Sequence, residues 1–272
     1  MSSKEFYDNW AEKLLLDYLN GNNRIESAIK KVVTKIPVEV KEILDIGCGI
    51  GWSSFELSNA FKAANITGID LSSELIKTAN QIFNNDRLEY LNLDITKTRE
   101  ITSKKFDFII LIDVFEHIPK TERTNFIELL NRLLTLDGAI FFSCPTIYHQ
   151  NYLRNNNPSG LQPIDEDVSL SDFLWLAKLI NGNVVYFEHV NIWNTNDYQY
   201  CLIEKTSPYK KPINKLNNWK TQSIEDRIKN IRKSAGGELI IEKFNIANNI
   251  NKTSRANSVL KRFIGLLTSR YA

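Results

Sequence analysis

The densest chemistry in this 272-residue chain lies in Asp45-Ile46-Gly47-Cys48-Gly49-Ile50-Gly51. Glycines at 47, 49 and 51 permit a tight turn that a ligand can approach along the backbone. A helix starting just after them would turn its free N–H groups toward a carboxylate or phosphate. The spacing is GxGxG, with Trp52 where the third glycine of a dinucleotide-binding GxGxxG would fall, which disfavours a dinucleotide fold. Two acidic companions add specificity. Asp70, closing GID, can accept both hydroxyls of a ribose, and Asp94 in LNLDI can accept the exocyclic amine of an adenine. A third acidic segment, Asp113-Val114-Phe115-Glu116-His117-Ile118-Pro119, adds a histidine.

These segments need elements to hold them at one place. EILDIG, NITGID, RLEYLNLDI, KFDFIILID and GAIFFSCP are short apolar runs of the kind that form buried parallel strands. WSSFELSNAF, SSELIKTANQIF and TERTNFIELLNRLL alternate with them at helical spacing. Strand and helix in alternation imply right-handed βαβ units and a doubly wound α/β sheet. Each acidic or glycine segment then falls at a strand's carboxyl end, where open α/β sheets bind ligands. The first ~36 residues read as two helical segments parted by Gly21-Asn22-Asn23. Residues 145–167 hold three prolines and read as a long loop. A helix, SLSDFLWLAKLI, follows with a cap at Ser169 or Ser171, then NVVYFEHV and DYQYCLIEK as an antiparallel hairpin at the sheet edge.

The set DIGCGIG, GID, LNLDI and DVFEHIP resembles the class I S-adenosylmethionine (SAM)-dependent methyltransferases, nearest to the small-molecule subgroup with ubiquinone-pathway and sugar O-methyltransferases. The resemblance covers roughly residues 1–204 and implies a Rossmann-like, seven-stranded mixed sheet whose last strand inserts antiparallel. It implies SAM as cofactor and S-adenosylhomocysteine (SAH) as product. Gly47, Gly49 and Gly51 would flank the methionyl part, with Asp45 orienting that loop and the methionyl amine. Asp70 with Leu71 would take the ribose, Asp94 and Ile95 the adenine, and Asp113 would complete the cofactor set. Tyr7 and Trp10 match aromatic lid positions of similar enzymes. Trp52 and Phe55 read as core or pocket wall.

Methyl transfer from a sulfonium is an in-line displacement, and an alcohol acceptor also needs its proton removed. His117, past the fourth strand, and His149, in the segment after the fifth, are the candidate bases, with His189 a distant third. Asp113, Glu116 and His117 could also hold a divalent ion, as a similar turn in ubiquinone-pathway relatives implies, but a hydrogen-bonded turn without metal is the favoured reading. The acceptor pocket is expected from the 145–167 segment, the first helices and the tail, with Tyr148, His149, Tyr152, Arg154, Asp165 and Glu166 as polar and aromatic lining. O-methylation of a sugar, sugar nucleotide or surface glycan intermediate leads. N-methylation of a small amine, or methyl esterification of a small acid, is the alternative. A nucleic-acid methyltransferase is disfavoured because DVFE stands where such enzymes carry Asp/Asn-Pro-Pro-aromatic. A non-catalytic binding module is disfavoured by motifs that are intact.

Charge divides the chain. Residues 1–204 carry 19 basic and 28 acidic side chains, whereas 205–272 carry 15 and 4, so the net charge of +2 conceals an acidic body and a basic end. The expected organisation is a catalytic domain over 1–204, with a helical cap at 1–38 and an acceptor-side insertion at 145–182, and a basic extension over 205–272. Apolar residues at helical spacing in 256–271 make that extension a docking or oligomerisation device, with peripheral contact at the inner membrane surface as one reading. Cys48, Cys144 and Cys201 lie in or beside apolar runs without metal spacing, as buried thiols in a reducing cytosol would. The N-terminus is polar and lacks the pattern of a signal peptide, and a cytoplasmic enzyme is expected.

Overall fold

A strand buried on both faces needs apolar side chains at every position, and β1 (Glu42–Ile46), β2 (Asn65–Asp70), β4 (Phe106–Ile112) and β5 (Leu134–Pro145) come close to supplying them. The computed structural model describes residues 3–96, 104–205, 219–234, 236–237 and 239–240. With β3 (Leu88–Asn92), β6 (Asn183–Val190) and β7 (Tyr198–Glu204) the strands form one sheet of order β3-β2-β1-β4-β5-β7-β6. All neighbours are parallel except at β7, which enters antiparallel between β5 and β6. This is the doubly wound, seven-stranded α/β sheet expected. The winding reverses between β1 and β4, which opens a crevice at their carboxyl ends.

Alternate side chains of the central strands feed two cores. Ile43, Ile66, Phe108 and Ile110 face α2 (Ala11–Asn20), α3 (Asn23–Val33), α4 (Trp52–Ala60) and α5 (Ser73–Ile82). Leu44, Ile46, Ile109 and Leu111 face α6 (Arg123–Leu133) and α8 (Leu170–Leu179). Ser169 and Asp172 close α8's N-terminus with a capping box, which settles the cap between the two serines considered. All three cysteines are buried free thiols.

The structure departs from the sequence reading in three places. The N-terminal segment is three helices, because α1 (Ser3–Asp8) ends before Trp10, whose carbonyl accepts from Leu14 N as α2 begins. Strand β5 begins at Leu134, four residues before Gly138, pairing Leu134 with Phe106 across an irregularity in the ladder. The segment after Pro145, read as a long loop, holds α7 (Ile147–Asn156) and a 3₁₀ turn at Pro158–Gly160. The Thr146 hydroxyl starts α7 by accepting from His149 N (3.4 Å). Its sequence showed no helical stripe because Gln150 is the one buried residue on it.

Beyond residue 204, α9 (Ile224–Lys233) lies against α2. The amphipathic pattern expected over 256–271 falls outside the described residues. No described helix is long and apolar enough to cross a membrane.

Candidate functional site

The crevice between β1 and β4 is a cleft of about 890 Å³, room for a cofactor and an acceptor together. Its floor is the turn between β1 and α4. Gly47, Gly49 and Gly51 have φ of +71°, +56° and +85°, a left-handed series that L side chains resist. A Cβ on Gly47 would stand 2.3 Å from Val114, and one on Gly51 would stand 2.6 Å from the Tyr90 hydroxyl. Gly47 and Gly49 line the cleft, whereas Gly51 is packed behind it on Tyr90.

Asp45 does not line the cleft either. Its buried carboxylate takes the hydroxyls of Ser53 (2.5 Å) and Ser54 (2.6 Å), bracing the first turn of α4 against β1, and burial pushes it up to about 6. Of the role expected for Asp45, orienting the glycine turn and the methionyl amine, the contacts in the structure are those with the turn's far side. Asp70 does reach the cleft. Its two oxygens accept from Gly49 N (2.9 Å) and Ser72 N (2.8 Å), which fixes its plane while leaving each oxygen a second lone pair. Burial pushes it up to about 6 against those two bonds. Leu71, Asp94 and Ile95 line the same end, and Asp94 Oδ1 accepts from Thr96 N and Oγ1.

At the tip of β4, Asp113 adopts φ +56°, rare for a residue with a side chain. Its Oδ2 pairs with Arg24, from the first turn of α3, while its Oδ1 is buried without a hydrogen-bond partner. The 3₁₀ turn that follows carries Glu116 and His117. Arg123, buried, holds this turn through Ile118 O (3.1 Å) and lies over the Phe115 ring. His117 Nδ1 sits 2.6 Å from Ile164 O. A carbonyl can only accept, so Nδ1 carries the hydrogen and Nε2 keeps its lone pair. Burial lowers the His117 pKa, more than the Ile164 carbonyl and Asp165 raise it. Burial likewise pushes Glu116 up, so both groups favour their neutral forms.

The far wall comes from the 145–167 segment and the β6–β7 turn. Asp165 accepts from Gln162 N (2.7 Å) and Gln150 Nε2 (3.3 Å), tying α7 to the chain that returns past His117. His149 lies on α7, its ring 6.0 Å from Trp193 and 5.8 Å from Tyr198. Burial lowers its pKa, with Asp197 opposing. Trp193 is 54% exposed yet lines the cleft, because the buried Asp197 carboxylate accepts from Ile192 N (2.7 Å), Trp193 N (2.8 Å) and Asn194 N (2.9 Å). The roof is α1. Tyr7 Oη donates to Gln162 Oε1 (2.5 Å), Ser72 Oγ donates to Asp8 Oδ1 (2.5 Å), and Tyr7 packs edge-on to Trp10 and His117. Burial pushes the Tyr7 phenol up, so it stays a donor.

Of the residues singled out by sequence, Tyr7, Trp10, Gly47, Gly49, Asp70, Leu71, Asp94, Ile95, Asp113, His117 and His149 meet in one cleft. His189 packs on Phe187 and Tyr148 and does not line the cleft. In the expected acceptor lining, His149 and Asp165 hold their places, but Tyr148 is exposed and Arg154 pairs outward with Asp167. Tyr152 and Glu166 are also absent from the lining. Tail residues that are described do not line it. Arg24, Gln162, Trp193 and Tyr198 were missed. Arg24 looks like any helix-surface cation in sequence, and only the Asp four residues after Trp193 hints at a pinned turn. Among the described residues no group of three or more His, Cys, Asp or Glu side chains is arranged to hold a metal.

Comparison with known proteins bears on the family and the fold. A family model described as a methyltransferase domain matches residues 43–138. The ubiquinone biosynthesis O-methyltransferase of Coxiella burnetii is 32% identical over 163 residues, 55% of this chain and 67% of that protein. An uncharacterized protein of Rickettsia prowazekii (strain Madrid E) is 27% identical over 211 residues, 66% of this chain and 84% of its own length. The magnesium protoporphyrin IX methyltransferase of Synechocystis PCC 6803, solved with SAH bound, shares the fold at a TM-score of 0.58 and 16% identity, over 75% of this chain and 100% of that one.

Proposed function

Because the chain belongs to the class I SAM-dependent methyltransferases, we propose that it methylates a hydroxyl oxygen, with a sugar, sugar nucleotide or glycan intermediate as acceptor. The cofactor when bound supplies a methyl on sulfonium, an electrophile that needs alignment more than activation. The cleft fits such a group. Asp70, its plane fixed from behind, presents lone pairs to ribose hydroxyls. Asp94 and Ile95 frame the adenine end, and Asp113 Oδ1, buried and unpartnered, is an acceptor available to the methionyl amine. Gly47 and Gly49 let that part lie against the backbone, with Asp45 bracing the turn.

The observation that carries the hydroxyl reading is His117. Its Nδ1 is committed to Ile164 O, and burial keeps the ring neutral, so Nε2 can take the acceptor's proton as the oxygen attacks. The proton given up by the acceptor would rest on His117 Nε2, with Nδ1 still held by Ile164 O. An ammonium acceptor finds less support. Among the described residues at that end, Asp113 Oδ2 is paired with Arg24 and burial favours neutral Glu116. A ring-shaped, hydroxylated acceptor suits the Trp193, Tyr198 and His149 faces, with Gln150 and Asp165 beside them to meet hydroxyls.

The test is transfer of isotope-labelled methyl from SAM to a panel of sugar nucleotides, phenols, amines and carboxylic acids. Label should appear as an ether that survives mild alkali. Label found only as an alkali-labile ester, or on nitrogen, would overturn the hydroxyl reading. Label on phenols alone would overturn the sugar one.

A further inference from the structure

The helix α9 buries two residues, Ile231 and an arginine, Arg227. A buried guanidinium is costly to desolvate, and leucine or methionine would fill the same space more cheaply. What an arginine adds here is specific. It donates to Tyr18 O (2.9 Å) and to Glu26, and its charge lies 4.9 Å from the centre of the Trp52 ring and 5.5 Å from that of Tyr18. Tyr18 in turn packs edge-on to Trp52 at 5.3 Å. Glu56, also buried, faces the same charge, and burial lifts it to about 7 against Arg227's pull. Trp52 follows Gly51 directly, opens α4 and lines the cleft. It is therefore held between Tyr18 and a cation that arrives from outside the β-α core.

We propose that Arg227 is a positioning residue for the cofactor end of the cleft, fixing the wall at Trp52, so that docking of α9 and cofactor binding are coupled. This rests on the reading of the cleft as a SAM site. A cation over a desolvated indole is a strong contact, and it holds the ring in one plane where an aliphatic side chain would let it rock. Coupling is reciprocal, so a ligand in the cleft must steady α9 to the extent that α9 favours the ligand.

The full-length protein, with Arg227→Met and Arg227→Lys, is titrated with SAH by calorimetry and unfolded thermally. Arg227→Met is expected to weaken SAH about tenfold, and to raise the KM for SAM with kcat little changed. Arg227→Lys, which keeps the charge, should recover part of that loss. A lowered Tm with unchanged SAH affinity would overturn the proposal by leaving Arg227 a purely structural role. If Arg227→Met does not fold, hydrogen exchange on the wild type decides. SAH should slow the amides of residues 224–233, and unchanged exchange there overturns the coupling. Absence of SAH binding to the wild type would instead overturn the cofactor reading itself.

Discussion

His117 is a base only while its ring is neutral, and its surroundings keep it so. Burial lowers its pKa below the ordinary 6.5, so the competent form persists below neutral pH. The acid limb of kcat/KM should therefore fall below pH 6.5, with activity rising as pH passes upward through it. His117→Asn should lower kcat by about 100-fold or more and remove that limb. A limb that survives the substitution would place the base elsewhere, with His149 next to be tested. Glu116 shifts the other way. A carboxyl whose folded pKa is raised favours the fold at low pH and loses that contribution as pH rises through the raised value. Glu116→Gln mimics the neutral form, so wild-type stability relative to this variant should decline as pH climbs from about 4.5. Urea midpoints at several pH values read the difference, and a pH-independent gap would contradict it.

Whole elements were legible where burial dictates sequence. The strands on both sides of the switch point are mostly apolar, and the glycine turn has to tolerate left-handed φ, so both are legible in the sequence. The acceptor wall was not legible in the same way. The helix α7 is mostly solvated and carries no stripe, and Trp193 is exposed, so neither burial nor periodicity marked them. What places Trp193 is the carboxylate of Asp197 gathering three consecutive amides, a local device rather than a pattern. Removing it should separate placement from presence. Asp197→Ala should cost about 3 kcal/mol, since three hydrogen bonds from consecutive amides to one carboxylate are lost together. Trp193→Ala should leave the urea midpoint nearly unchanged but raise the KM of the methylated acceptor about tenfold. An acceptor KM unmoved by Trp193→Ala would remove that side chain from the acceptor site.

The whole molecule is less divided than its charge suggests. An acidic body and a basic end were plain from counting, yet the contact that joins them was not. Arg227 and Tyr18 are 209 positions apart, and in sequence Arg227 is one more cation among the 15 basic residues of the end. Only the fold shows that this cation serves the body's core instead of its surface. The cleft, for its part, is assembled from α1, the glycine turn, strand ends from β1 to β5, the 145–167 segment and the β6–β7 turn, so a bound ligand should steady the molecule as a unit. With SAH at 100 times its Kd, the gain of about 2.7 kcal/mol should raise Tm by roughly 5–10 °C.

A cleft built for SAM must take up SAH and hold it in part through Asp70. The most direct test is calorimetric titration of the full-length protein with SAH and, separately, with NAD, repeated on Asp70→Ala. One SAH should bind per chain, with no heat from NAD and at least a tenfold loss of SAH affinity on removing the Asp70 carboxylate. Silence with SAH, or SAH affinity indifferent to Asp70, would contradict it.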